Sequence, residues 1–200
     1  MIVPNQSNIK VHFAGLEALN HLMITNTAEV HYSLFSIYKF IHNKIENGKL
    51  NHSSIPSTIE KLSKHTIMDS GLFTLMFGSQ KGEKSVPYLD KWTDLILEFM
   101  EVTNYQGAYV EVDCQKVLGV EQAWKYRQYM KEQSTNRQIN VFHIEDGMKG
   151  LDRLIEYSEY IAISVPELRI KKRKITRIAL LHILKTRSHL LTFTFLDAQS

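Results

Sequence analysis

The chain has 200 residues, 44% of them apolar and 22% charged, with a net charge of +3 and a single cysteine. That balance fits one globular domain spanning 1–200, and one cysteine excludes a disulfide framework or a multi-cysteine zinc site. No run of 18 apolar residues marks a membrane span, and MIVPNQSNIK lacks the basic start and apolar stretch of a signal peptide, so a cytoplasmic protein is expected.

In chain order, β-rich runs occur at 9–15, 29–38, 65–69, 107–113, 139–144, 160–165 and 189–196. Amphipathic stretches lie between most of them. In 87–102, Leu89, Trp92, Ile96, Phe99 and Met100 recur at helical spacing. Looser stripes run through 120–130 and 150–159, and 175–184 is apolar on most sides. Strand followed by helix, repeated, predicts βα units on a parallel sheet. Right-handed crossovers leave two outcomes, an open doubly wound sheet or a barrel. Seven strands in 200 residues are short of the usual (β/α)8 barrel. The fold expected is therefore α/β of the TIM-barrel type, incomplete, or completed by a partner chain.

Four strand ends carry polar groups: Asp69-Ser70-Gly71, Asp113-Cys114-Gln115, His143 to Gly147, and Val165-Pro166-Glu167. Both a barrel and an open α/β sheet bind ligands beyond the carboxyl ends of their strands. Asp69 before Ser-Gly fits a turn or helix cap as well as a site. In YVEVDC, alternation puts Val110 and Val112 on one face and Glu111 and Asp113 on the other. The valines suit the helix-packed face, so both acids are expected to point to the barrel axis or its mouth. A salt bridge to a cation such as Arg127 or Lys116 is the alternative.

His143, Glu145 and Asp113 offer imidazole and carboxylate ligands, yet no HxH or HExxH spacing supports a metal. Cys114 reads as a small buried residue rather than a nucleophile. The phosphate-loop, dinucleotide and Ser-elbow motifs are all missing. Residues 169–177, RIKKRKITR, hold six cations and no acid, and without them the chain is net negative. Arg169, Lys171, Lys172, Arg173, Lys174 and Arg177 are thus candidate phosphate contacts or a solvated basic face.

Three stretches together resemble the tRNA-guanine transglycosylases (the queuine and archaeosine tRNA-ribosyltransferase type). The closer resemblance is to phage and plasmid relatives acting on 7-deazaguanine in nucleic acid. The first is Asp69-Ser70-Gly71-Leu72-Phe73. The second is AYVEVDCQKVLGVEQAWKYRQYM, with a strand ending in Asp and Cys and a helix bearing Trp124 and Arg127. The third is INVFHIEDGMKGLDRLIEYSEYIAISVPELR. The likeness covers about residues 9–169.

The resemblance implies a TIM barrel that exchanges guanine for a 7-deazaguanine base in tRNA or DNA. A carboxylate would attack the sugar C1′ and displace the purine, giving a covalent intermediate, while an acid aids departure. It implies that Asp69 and Asp113 contact the base, that Asp69 is a candidate acid or base, and that Phe73 flanks the ring. Gln115 would assist, His143 and Glu145 would lie on a base-reading loop, and Ser164 begins a segment replacing the family's glycine-rich loop. Ser70, Gly71 and Glu111 join the expected pocket.

The family's nucleophilic Asp and its zinc site have no counterpart among these 200 residues. No metal or other cofactor is therefore expected, and the chain reads as C-terminally truncated, with a homodimer or a second chain as partner. Two further expectations stay open: a non-catalytic base-binding relative, and a metal-dependent barrel hydrolase using Asp113, His143 and Glu145.

Overall fold

The computed structural model describes residues 11–16, 23, 27, 31–48, 55–77, 85–164 and 192–196. The basic run 169–177 and the expected helix 175–184 lie outside the described residues. Six strands form one parallel sheet: β1 Tyr32–Ser36, β2 His65–Asp69, β3 Ala108–Val110, β4 Gln138–Phe142, β5 Tyr160–Ser164 and β6 Thr192–Leu196. Their order in the sheet is their order in the chain. Beyond β1, Phe13 makes a single parallel bridge, its N–H donating to Tyr32 O (3.0 Å) and its carbonyl accepting from Leu34 N (2.8 Å). Of the seven expected strands, six are present, and the run at 9–15 contributes this bridge.

Among the described residues the α-helices are α1 Tyr38–Asn47, α2 Ile55–Leu62, α3 Leu72–Phe77, α4 Val86–Thr103, α5 Gln115–Leu118, α6 Val120–Gln133 and α7 Gly147–Tyr157. α4 has the signals of a well-defined helix. Ser85 accepts the Tyr88 N–H at its start, Pro87 sits in the first turn, and Asn104 closes it with φ 50. The expected strand 29–38 is overturned at its end, because Tyr38 begins α1. The β-rich residues misled here: the Ile37 N–H makes the last bond of the ladder, to Asp69 O at 3.1 Å, and the chain then turns into a helix.

Because each step moves to the next neighbour in one direction, crossovers of one hand put the helices on one face. Phe35, Met68 and Tyr109 pack with Phe40, Ile41, Ile59, Leu75, Trp92, Ile96, Phe99 and Met130. Phe142, Ile161 and Ile163 pack with Trp124, Leu151 and Leu154. The opposite face is a second buried layer: Leu34, Ile67, Ala108, Val110, Ile139, Val141, Tyr160 and Ala162. No residue of a described helix belongs to that layer. Strands β4 and β5 are buried at every position, as expected for parallel strands covered on both sides.

Tyrosine and tryptophan tie the layers together. Tyr105 OH donates to Thr66 O (3.1 Å) or Ala108 O (2.9 Å), and a Cβ on Gly107 would meet that hydroxyl at 2.3 Å. Trp92, wholly buried on α4, donates Nε1–H to Ser70 O at 3.0 Å and so anchors the carboxyl end of β2.

Candidate functional site at the carboxyl edge of β2, β3 and β4

β3 leaves the ladder early. The Glu111 N–H still reaches Ile139 O at 3.1 Å, but beyond it side chains replace the backbone as partners of β4. Glu111 Oε1 accepts the Val141 N–H (2.8 Å), and Gln115 Nε2 donates to Val141 O (3.1 Å). Farther along, His143 Nε2 lies 3.0 Å from Asp113 Oδ2. The two strands thus splay at their carboxyl ends, and polar side chains bridge the gap.

Glu111 does not face the layer opposite the helices, which corrects the expectation drawn from YVEVDC. Strand pairing places Tyr109 beside Gln138, and the next residues on that face are Glu111 and Asn140. Glu111 is fully buried against Arg127 of α6, with contacts of 2.5 Å (Oε2 to Nε) and 2.6 Å (Oε1 to Nη2). Asn140 Nδ2 donates to Oε2 at 2.6 Å. Val110 lies instead on the layer without helices, with Ile67 and Val141. The alternation misled because both sides of this sheet are buried, so valine suits either. The Arg127 alternative is the observed one for Glu111, and its carboxylate is not reachable by a ligand. Burial pulls the Arg127 guanidinium down, but the Glu111 charge and hydrogen bonds outweigh it and leave it raised. The guanidinium also sits 4.1 Å from the centre of the Trp124 ring.

Asp113 is different. Its side chain keeps 24% of its surface exposed, while His143 keeps 7%. Oδ2 is taken by His143, and Oδ1 has no hydrogen-bond partner among the described residues. Two residues on, buried Gln115 holds its amide by donating to Val141 O, so its Oε1 is the acceptor end, and that atom is buried without a partner. Cys114 between them is buried, and burial followed by the Asp113 charge pushes its thiol up to about 12. A protonated thiol is a poor nucleophile.

Asp69 ends β2 with a turn. Oδ2 accepts the Gly71 N–H at 2.9 Å, the Asx arrangement expected of Asp before Ser-Gly. Gly71 has φ 72, and a Cβ there would come within 2.9 Å of the Tyr38 backbone. The glycine allows the close approach of α1, and Ser70 is buried. Asp69 itself is partly exposed, and Phe73 on α3 is 39% exposed. Ser164 is buried at the end of β5. Glu145 is exposed and does not join Asp113 and His143. Among the described residues, no three His, Cys, Asp or Glu side chains gather where they could hold a metal.

One participant escaped the sequence reading. Asp146 Oδ2 accepts the His143 N–H at 2.8 Å, and the Asp146 N–H donates to His143 O at 3.1 Å. An acid three residues after a capping residue is the signal that could have found it. Burial raises the Asp146 carboxyl, against the opposing pull of the His143 N–H and Arg127.

No family model, curated protein or solved structure matches the chain. The resemblance to tRNA-guanine transglycosylases therefore rests on the three sequence stretches. Among the described residues, no helix is long and apolar enough to cross a membrane.

Proposed function

We propose that this chain is a base-binding protein of the transglycosylase type, built on a sheet that curls as a (β/α)8 barrel does. Two features of the sheet support the curl. Its parallel strands follow chain order without reversal, and the buried layer on its helix-free face joins Ile67 of β2 to Tyr160 and Ala162 of β5. Its ligand is the guanine or 7-deazaguanine base of a tRNA or DNA nucleotide taken out of the stack.

The observation that carries this reading is the acceptor pair at the β3–β4 splay: Asp113 Oδ1 and the buried Gln115 Oε1, neither with a hydrogen-bond partner among the described residues. A guanine edge offers N1–H and an amino group, both donors, to such acceptors. Each hydrogen bond to a charged group contributes about 1.5–3 kcal/mol. Phe73 supplies an apolar flank and Asp69 a second carboxylate near the same edge. Base exchange further requires a carboxylate at the sugar C1′, a role assigned to none of the described residues. Asp69 has committed one oxygen to its turn, which favours base contact over nucleophilic attack for that residue.

Incubation with labelled guanine and tRNA, or with a DNA duplex, tests the reaction, and titration with 7-deazaguanine tests the pocket. Label entering the nucleic acid establishes exchange. Base binding without label transfer restricts the function to recognition. Binding of 7-deazaguanine that survives Asp113→Asn unchanged removes the pocket from this edge.

A further inference from the structure

Nε2 of His143 faces Asp113 Oδ2 at 3.0 Å. The backbone of the same residue is held by Asp146, whose Oδ2 accepts the His143 N–H at 2.8 Å and whose own N–H donates to His143 O at 3.1 Å. A carboxylate offers only acceptors, so the hydrogen bond to Asp113 calls for a proton on Nε2.

The turn that holds this backbone depends on two glycines. Gly147 turns the chain with φ 64, and a Cβ on Gly150 would come 2.7 Å from Asp146 Cβ. The loop after β4 is thus shaped to hold the His143 backbone in one place.

We propose that His143 is a positioning residue for Asp113. It takes Oδ2, fixes the plane of the carboxylate, and leaves Oδ1 as the atom presented to a ligand. This rests on the reading of Asp113 as the base-contacting carboxylate. The exposures agree: the ring lies behind, nearly covered, while the carboxylate reaches solvent. A carboxylate already held in one orientation loses less freedom on binding, which is the usual gain from preorganisation.

Two measurements on the full chain test it. Nitrogen-15 NMR of the imidazole reports the tautomer without any ligand, and calorimetric titration with 7-deazaguanine reports the consequence. The proton is expected on Nε2, with a resonance that shifts in Asp113→Asn. His143→Asn leaves the backbone bonds to Asp146 in place but is too short to reach Asp113. It should weaken binding about tenfold or more, the scale of one charge-assisted hydrogen bond. His143→Gln carries an N–H donor where Nε2 stood and should restore affinity to within about threefold of wild type.

A proton found on Nδ1 overturns the proposal. So does His143→Asn binding as tightly as wild type while Asp113→Asn abolishes binding. Undiminished binding by Asp113→Asn overturns the base-site reading instead, and the NMR result still decides the tautomer. Circular dichroism on each variant separates loss of fold from loss of the contact.

Discussion

Four hydrogen bonds reach the buried Glu111 carboxylate, two from Arg127, one from Asn140 and one from the Val141 N–H. Removing the charge strands a buried guanidinium, so Glu111→Gln should cost about 3–5 kcal/mol of stability. The double variant Glu111→Leu, Arg127→Met should cost less than that single change, and urea unfolding of the two checks the order. Cys114 gives a second prediction at this scale. Its thiol, raised from the usual value of 9.0 to about 12, keeps its proton in the folded chain. A thiol reagent at pH 8 should label it only after denaturation. Because the folded state holds the proton more tightly, stability falls as pH rises from about 9 toward 12, and Cys114→Ala should flatten that decline. Asp146 follows the same sign. Its carboxyl is raised mainly by burial, so charging it opposes folding. Asp146→Asn should therefore gain most over wild type at neutral pH, and the gain should shrink on acidification through the carboxylate range, as thermal melts across pH would show. Residue types at strand ends were legible in the sequence, whereas their directions were not. Asp113 could be picked out as a strand-end acid, but only the pairing of β3 with β4 separates it from Glu111.

Elements differ in how plainly they can be read. The apolar stripe from Leu89 to Met100 and the Ser85-Val86-Pro87 start identify α4 almost to its ends. α1 was hidden, because it begins inside a run rich in aromatic and β-branched residues, and a tertiary bond from Ile37 to Asp69 O ends the strand before Tyr38. The same contact explains the turn after β2. Gly71 combines a left-handed φ of 72 with backbone of Tyr38 at 2.9 Å from any Cβ. Gly71→Ala should cost about 2–4 kcal/mol from backbone strain and overpacking together. Denaturant unfolding measures it, and a cost below about 0.5 kcal/mol would show that α1 can shift freely. Short β3 has a physical reason too. Side chains of Glu111 and Gln115 do the work of the ladder, and no pattern of hydropathy encodes that substitution.

Across the whole molecule, parallel strands in chain order place every strand's carboxyl end at one edge, and the chemistry gathers there because of that topology. The alternation of β-rich and amphipathic segments made the parallel sheet legible. Which side the helices take, and that the opposite side is an apolar layer from β1 to β5, depends on packing between residues far apart in sequence. The proposed site is the Asp113 and Gln115 acceptor pair backed by His143, with Glu111 withdrawn into the core. Calorimetric titration of the full chain with 7-deazaguanine, beside Asp113→Asn of verified fold, tests this most directly. Saturable binding at one site, lost in the variant, is the predicted result. Equal affinity in both proteins, or no binding by the wild type, would contradict a base pocket at this edge.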